Sequence, residues 1–174
     1  MGAMIARIDV LNSKVEDILR FARPRSPVVE SVDLTSVLQD AVASARAAAG
    51  AGCPEIAIPQ CSVLVQADRE MLRDVLLNVL LNACQAAPSE AIDVQAAKVD
   101  GMYTIEIADR GAGFGDKDPE QLFEAFHTTK KSGTGLGLAI VRRLISIQGR
   151  TISLHAREGG GTIARFTLAP AREN

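Results

Sequence analysis

Hydrophobic residues recur every three or four positions in four stretches of the chain, and this periodicity predicts four amphipathic helices. The predicted helices span residues 5–22, 34–49, 68–87 and 135–148. Asp33 and Asp68 stand at the positions of helix N-caps, and Gly50, Pro88 and Gly149 follow the last periodic residues. The sequence therefore marks the start or the end of most of its helices.

Alternation of hydrophobic and polar residues predicts strands between the helices. The predicted strands lie around Val32 and at 55–58, 62–66, 91–98, 102–108, 150–156 and 162–168. Asp100-Gly101 and the glycines at 159–161 are suited to the turns of two hairpins. Because helices and strands are mixed along the chain, the predicted fold class is α/β, with a mixed sheet covered by helices on one face.

The segment before the first predicted strand reads as a separate unit. Residues 23–31, "RPRSPVVES", contain two prolines and predict an extended linker, and the narrow apolar stripe of helix 5–22 must pack on another element. Met1-Gly2-Ala3-Met4 is typical of an added N-terminus, so we expect a piece of a longer protein. The expected division is 1–23, a remnant of another domain; 24–31, the linker; and 32–174, the main domain.

Composition narrows the class of protein. With 174 residues, 47% of them hydrophobic, the chain can bury a core of its own. A net charge of −2 and 3% aromatic residues argue against a nucleic-acid surface. No apolar run is long enough to cross a membrane, and the three cysteines form no CxxC pair, which favours reduced thiols in a cytoplasmic protein.

One row of polar side chains interrupts the apolar helix 68–87. Glu70, Asp74, Asn78 and Asn82 lie four residues apart and so share one face. A solvated face explains the two acidic residues. It explains the two asparagines less well, because Asn costs about half a kcal/mol relative to Ala in a helix. An amide oxygen can bind Mg²⁺, which takes its other ligands from water and phosphate.

Two glycine-rich motifs are candidate binding loops. In "DRGAGF", residues 109–114, a strand-end carboxylate could accept a hydrogen bond from an exocyclic amine such as that of adenine, while the glycines admit a flat ring; a plain surface turn is the alternative. "GTGLG", residues 133–137, fits neither the dinucleotide fingerprint nor the Walker loop. It fits an anion site at a helix start, with a simple hinge or helix entry as the alternative.

The order of these motifs resembles a known family. "LLNVLLNACQAA", "DRGAGF", "LFEAFHTTK", "GTGLGLAI" and "GGGTIARFTLAP" resemble the N, G1, F and G2 boxes and the closing strand of sensor histidine kinase catalytic domains, within the Bergerat-fold superfamily of gyrase, Hsp90 and MutL. The resemblance is strongest to the nitrogen-regulatory subgroup. It implies a two-layer α/β sandwich in which three helices cover one face of about five strands, plus an N-terminal helix.

The resemblance also implies site residues. Asn82 matches the magnesium ligand, Asp109 the reader of the adenine amine, and Thr162 a residue near the base, while Gly111 and Gly113 flank the base. Lys130 matches a lid residue near the terminal phosphate. The implied phosphate cradle is Gly133, Thr134, Gly135, Leu136 and Gly137, with Gln85 nearby, where many relatives carry Lys or Arg.

Asn78 favours phosphate donation over hydrolysis. The gyrase and Hsp90 branches have at this position a Glu that activates water, and an amide cannot take that proton. With Asn78 and Lys130 as catalytic residues, the resemblance implies transfer of the γ-phosphoryl group of Mg-ATP to a His outside this chain. The chain alone should not phosphorylate itself. A gyrase- or MutL-type ATPase and an anti-sigma-factor-like binding protein are the alternatives.

The resemblance implies partners as well. "ILRFARPRSP" resembles the end of the second helix of the dimerisation and phosphoacceptor domain and its linker. We therefore expect a dimer in the full-length protein, its own phosphoacceptor His as the first partner, and a response regulator receiver domain as the second. We expect no nucleic acid and no membrane contact from this part of the protein, and a cytoplasmic location, with an inner-membrane anchor elsewhere in the full-length protein left open.

Overall fold

The structure is a computed structural model that describes residues 25–50, 53–59, 62–87, 89–128 and 134–171. The predicted N-terminal helix 5–22 and the site residues Lys130 and Gly133 lie outside the described residues.

Three α-helices and seven strands form the described fold. In chain order they are β1 (Glu30–Asp33), α1 (Leu34–Ala49), β2 (Ile56–Ala57), β3 (Leu64–Ala67), α2 (Arg69–Ala86), β4 (Ile92–Val99), β5 (Met102–Ala108), a 3-10 helix (Pro119–Phe123), α3 (Gly137–Ile147), β6 (Ile152–Ala156) and β7 (Thr162–Pro170). Helix α3 begins two residues later than predicted, because Gly135 has φ of +68°, which a right-handed helix does not allow.

The strands form one mixed sheet in the order β1-β3-β7-β5-β4-β2, with β6 also paired to β7. Only β2 and β4 run parallel among these described pairs; the rest are antiparallel. The fold class is confirmed. The sheet has seven strands where about five were expected, since the short strands β1 and β2 extend its two edges.

Side-chain alternation gives the sheet one buried face and one open face. Ile105 of β5 lies opposite Phe166 of β7, and both are buried in the same core as the three helices. Their neighbours Glu106 and Arg165, also opposite each other, form an ion pair of 2.6 Å on the other face. The helices therefore cover a single face of the sheet, as a two-layer sandwich requires.

The apolar stripes of the helices explain this packing. The core residues of α1 are Leu34, Val37, Leu38, Ala41, Val42 and Ala45; those of α2 are Met71, Leu72, Val75, Leu76, Val79, Leu80, Ala83 and Cys84; those of α3 are Ala139, Ile140, Val141, Leu144 and Ile145. All recur at helical spacing. Full burial of one leucine such as Leu76 contributes about 2–3 kcal/mol, so these stripes hold α2 and α3 side by side.

Candidate functional site

The asparagines of α2 face the first residue of α3. A Cβ atom placed on Gly137 would lie 3.3 Å from Asn78 Oδ1 and 3.7 Å from Asn82 Nδ2. Asn78 Nδ2 donates a hydrogen bond of 2.8 Å to the carbonyl of Asp74, which leaves its Oδ1 directed at Gly137. A side chain at 137 would crowd this gap, so the glycine keeps the start of α3 close to the polar row.

The start of α3 is suited to an anion. Among the described residues no side chain caps this helix, and its first turn contains no acidic residue. Thr134 Oγ1 accepts a hydrogen bond of 3.3 Å from the N–H of Leu136, so this hydroxyl orders the approach to the helix. The amides of the first turn and the positive end of the helix dipole remain available to a negative group.

The glycines of "GTGLG" serve different contacts. Gly135 has φ of +68°, and a Cβ atom there would lie 2.6 Å from the backbone carbon of Phe126. Its carbonyl accepts a hydrogen bond of 2.9 Å from the N–H of Phe126. Gly135 thus joins the "LFEAF" segment to α3, whereas Gly137 faces the asparagines. The side chain of Leu136 is buried in the core, so only its backbone can contact a ligand.

Asp109 forms the other end of the site. This carboxylate directly follows β5 and is buried. Its Oδ1 accepts hydrogen bonds from the N–H groups of Gly111 (2.9 Å) and Thr162 (3.2 Å), and its own N–H donates to the carbonyl of Thr162 (2.9 Å). Its Oδ2 accepts no hydrogen bond within the described part of the chain. A fixed carboxylate with one oxygen to spare can accept from a ligand amine.

Glycine residues pack their backbone closely around Asp109. A Cβ atom on Gly111 would lie 2.5 Å from the carbonyl oxygen of Ala86, at the end of α2, and one on Gly113 would lie 3.0 Å from the carbonyl oxygen of Gly161. A Cβ atom on Gly161 would overlap the carbonyl oxygen of Asp109. Gly161 was predicted only as part of a turn. Its close contact with Asp109 joins segments that are distant in the chain. In the sequence, only the run of three glycines pointed to Gly161.

Arg110 fixes the segment that carries Asp109. Its Nη2 lies 2.6 Å from Asp93 Oδ2, and its Nη1 donates to the carbonyl of Ala91. Both partners belong to or border β4, the neighbour of β5. The backbone after Asp109 is therefore held to the sheet, which orders the carboxylate before any ligand arrives.

The end of α2 connects the two halves of the site. Asn78 and Asn82 border the start of α3, and Ala86 borders Gly111. Asn78 and Ala86 are eight residues apart in α2, which corresponds to about 12 Å along the helix axis. The predicted residues Asn78, Asn82, Gly137, Asp109, Gly111, Gly113 and Thr162 thus line one continuous strip. Gln85 is exposed on the last turn of α2.

Cys84 lies behind the asparagine row. It is buried, and its Sγ is 3.5 Å from Sγ of Cys53, in the segment between α1 and β2. Burial, reinforced by the contact with Cys53, raises the pKa of the Cys84 thiol to about 12. Neither of these two cysteines forms a disulfide, and no pattern along the chain indicated that they are neighbours.

A family profile described as "Histidine kinase-, DNA gyrase B-, and HSP90-like ATPase" matches residues 67–172. The chain belongs to this family. The match spans α2, Asp109 and the start of α3, which are the parts of the site described above. The predicted superfamily is confirmed.

Individual relatives within this family are sensor histidine kinases. AtoS, a signal transduction histidine-protein kinase of Escherichia coli strain K12, is 33% identical over 172 residues, covering 97% of this chain and 28% of AtoS. The sensor histidine kinase ZraS of E. coli O157:H7 is 34% identical over 174 residues, covering 95% of this chain and 36% of ZraS. The chain thus spans about a third of these curated relatives.

Solved structures of histidine kinases are similar to this fold. Full-length ShkA in complex with AMPPNP superposes with a TM-score of 0.82 at 29% identity, covering 99% of this chain and 39% of ShkA. The mycobacterial sensor histidine kinase MprB gives a TM-score of 0.72 at 27% identity, covering 84% of this chain and all of that one. Together with the family match, these similarities confirm the prediction of an ATP-binding catalytic domain of the sensor histidine kinase type.

The described helices and side chains also bear on membrane spans and metal clusters. Within the described ranges, none of the helices combines the length and the apolar character needed to cross a bilayer. The same residues contain no group of three or more His, Cys, Asp or Glu side chains that could hold a metal ion.

Proposed function

We propose that this chain binds Mg-ATP in the strip between α2, Asp109 and α3, and donates the γ-phosphoryl group to a His of its own full-length dimer. From that His the phosphoryl group passes to the receiver domain of a response regulator. Residues 1–23 and 24–31 are then the end of the dimerisation domain and its linker, and the protein works in the cytoplasm.

The observation that carries this proposal is the hydrogen bonding of the Asp109 carboxylate. Its Oδ1 is held by two backbone N–H groups, while its Oδ2 accepts no hydrogen bond from the described residues. The free oxygen suits the exocyclic amine of adenine. Guanine has an acceptor at the matching position and would repel the charge. The glycines around Asp109 let the backbone segments of Ala86, Gly161 and Asp109 pack closely against one another, which fixes the position of the carboxylate.

The opposite end of the strip suits a triphosphate. The first turn of α3 has no side-chain cap among the described residues, and Asn82 stands beside it. An amide oxygen of Asn82 would hold Mg²⁺, which supplies charge neutralisation when bound with phosphate. Lys130, which precedes α3 in sequence, would add a second cation at the terminal phosphate. Gln85, Thr134 and the backbone of Gly133–Gly137 complete the proposed contacts.

Asn78 supports transfer rather than rapid hydrolysis. Its Nδ2 is bonded to the carbonyl of Asp74, and its Oδ1 faces Gly137. A neutral amide cannot take a proton from water at pH 7, so water near the phosphates stays without a general base at this position. ATP bound beside Asn78 would then persist until an acceptor arrives.

The relatives support the same conclusion. AtoS and ZraS are named as histidine kinases, and ShkA is described in complex with AMPPNP, an ATP analogue. We infer ATP as the nucleotide of this chain from ShkA and from Asp109 together.

Titration calorimetry tests the binding half. We expect the chain to bind ATP with Mg²⁺ and to bind GTP at least about tenfold more weakly, the difference that one mismatched hydrogen bond to a charged group produces. Equal affinity for the two nucleotides would remove the argument from Asp109.

Labelled ATP tests the transfer half. The chain alone should stay unlabelled, and a separately supplied helical domain with the phosphoacceptor His should become labelled when the chain is added. Rapid steady-state release of phosphate by the chain alone would instead favour the gyrase-type ATPase. Asn78→Glu is the matched variant, since it restores a carboxylate at the position where an ATPase would need its base.

A further inference from the structure

We propose that Cys53 and Cys84 form a redox-responsive dithiol in which oxidation to a disulfide weakens nucleotide binding. The proposal concerns regulation of the site assigned above and so rests in part on the proposed function. Its chemical half does not, because the sulfur chemistry needs no nucleotide.

The geometry places the two thiols in reactive contact. The sulfur atoms are 3.5 Å apart, although Cys53 and Cys84 belong to different segments of the chain. A disulfide bond is about 2.05 Å long, so the sulfurs need to approach by only about 1.5 Å. Cys53 is partly exposed, whereas Cys84 is buried, so one thiol can meet a reagent from solution while the other waits beside it.

A peroxide is the chemical class of oxidant that this arrangement would use. The sulfur of Cys53 attacks a peroxide oxygen, the O–O bond breaks, and a sulfenic acid forms on Cys53 with release of water or an alcohol. The Cys84 thiol must lose its proton, which its burial opposes, so this second step is the slower one. The Cys84 sulfur then attacks the Cys53 sulfur, the S–O bond breaks, and the departing hydroxyl leaves with a proton as a second water molecule. Two thiols are oxidised to one disulfide, and one peroxide is reduced.

The position of Cys84 connects this bond to the site. Cys84 lies in the last two turns of α2, between Asn82 and Ala86. The backbone of Ala86 already packs so closely on Gly111 that a Cβ atom there would lie 2.5 Å from its oxygen. A pull on Cys84 toward Cys53 therefore moves the part of α2 that positions both Asn82 and the loop after Asp109.

Mass spectrometry of the oxidised chain tests the chemical half. The experiment uses a Cys61→Ala background, which leaves Cys53 and Cys84 as the remaining cysteines. After mild treatment with hydrogen peroxide we expect loss of the mass of two hydrogens, a peptide pair linking Cys53 to Cys84, and recovery of both thiols with a reductant. Two separately oxidised cysteines, or two thiols that stay reduced while peroxide is consumed elsewhere, would overturn the proposal.

A bridging reagent gives an independent measure of the same geometry. Phenylarsine oxide binds two thiols only when they are close together, so it should form a one-to-one adduct with the folded Cys61→Ala chain. The Cys53→Ser variant should lose the adduct while its circular dichroism stays unchanged. Absence of the adduct on the folded chain would contradict the close approach of the two sulfurs.

Calorimetry with ATP and Mg²⁺ tests the regulatory half. We expect the disulfide form to bind at least about fivefold more weakly than the reduced form, the lower end of typical coupling between two sites. After peroxide treatment, the Cys53→Ser variant should bind ATP as tightly as the chain with both thiols reduced. Unchanged affinity of the disulfide form would overturn the regulation, whereas failure of the reduced chain to bind ATP would instead refute the proposed function.

Discussion

Asp68 and Asp109 are the two buried charged side chains in the described part of the chain, and they are bonded in opposite ways. Each directly follows a strand, β3 or β5. Asp68 uses both oxygens fully: Oδ2 accepts from Arg25 Nη1 (2.6 Å) and the N–H of Val28 (2.7 Å), and Oδ1 accepts from Arg25 Nη2 (2.8 Å) and the N–H of Met71 (3.0 Å). Asp109 uses one oxygen.

The difference suits Asp68 to a structural role and Asp109 to the binding role proposed above. Asp68 caps α2 and joins it to the segment of Arg25, while its own N–H donates to Gln148 Oε1 (3.0 Å) after α3. Nothing is left for a ligand. Asp109 is held by Gly111 and Thr162 through Oδ1, and its Oδ2 has no partner within the described residues. No buried side-chain oxygen among the described residues lacks a hydrogen-bond partner, so Oδ2 of Asp109 must be open to solvent, where a ligand amine can reach it.

The largest expected effect is on binding at Asp109. In Asp109→Asn the amide oxygen can still accept from Gly111 and Thr162, but the amide nitrogen would face the amine of adenine. We expect ATP affinity to fall about 100-fold, since a hydrogen bond to a charged group contributes about 1.5–3 kcal/mol, with little change in melting temperature. Calorimetry and thermal unfolding measure the two quantities, and a variant that binds like the parent would show that Asp109 does not read the base.

The matching substitution at Asp68 should act on stability instead. Asp68→Ala removes the cap of α2 and the partner of Arg25, and we expect a loss of about 2 kcal/mol in the free energy of unfolding. ATP affinity should change less than about twofold, because Asp68 is about 20 Å from Asn82 along α2. Urea unfolding and calorimetry check this pair. A large loss of affinity with unchanged stability would reverse the roles assigned to the two residues.

The glycine wall of Asp109 can be tested with a matched pair. A Cβ atom at Gly161 would overlap the backbone of Asp109, whereas one at Gly159 meets no atom within 4 Å; both residues have positive φ, +106° and +82°. Gly159→Ala should therefore show only the backbone cost, about 1 kcal/mol. Gly161→Ala should in addition weaken ATP binding about tenfold, or about 1.4 kcal/mol. Equal affinities of the two variants would deny Gly161 a part in the site.

The stability of the chain as a function of pH tests the role of Asp68, whose two carboxylate oxygens both accept hydrogen bonds. Burial alone would raise the pKa of Asp68, but hydrogen bonds from the N–H of Met71, from Arg25 and from the N–H of Val28 outweigh it and lower the pKa below its ordinary value. A lowered pKa in the folded state means that the stabilisation is complete above the unfolded value of about 3.9 and is lost as the pH falls through the folded value. The stability advantage of the parent over Asp68→Asn should thus be constant from about pH 7 to 5 and shrink below about pH 4. Thermal unfolding across this range is the measurement, and an advantage that grows in acid would contradict the sign.

The smallest effect is expected at Glu70, the other acidic partner of Arg25. Its Oε2 lies 2.8 Å from Arg25 Nη2, but the Glu70 side chain is 81% exposed. Glu70→Ala should cost less than about 0.5 kcal/mol, as is usual for exposed ion pairs. Chemical unfolding beside Asp68→Ala measures the contrast. A loss as large as that of Asp68→Ala would mean that the pair with Arg25, rather than the cap of α2, stabilises this corner.

The sequence by itself determined the elements and much of the chemistry. Helical spacing placed Asn78 and Asn82 on one face of α2, and strand alternation placed Asp109 at the end of β5. These features depend on the local period of the backbone, about 3.6 residues in a helix and two in a strand. For the same reason the buried stripes and the mixed sheet could be predicted from residues near one another in the chain.

Only the tertiary structure decided which distant segments touch. It brought Gly161 against Asp109, Gly135 against Phe126 and Cys53 against Cys84. It also surrounded Asp68 and Asp109, both strand-end aspartates in the sequence, with different numbers of hydrogen-bond donors. Such contacts depend on how helices and strands pack across long sequence separations, and no local pattern encodes the distance between two atoms on different elements.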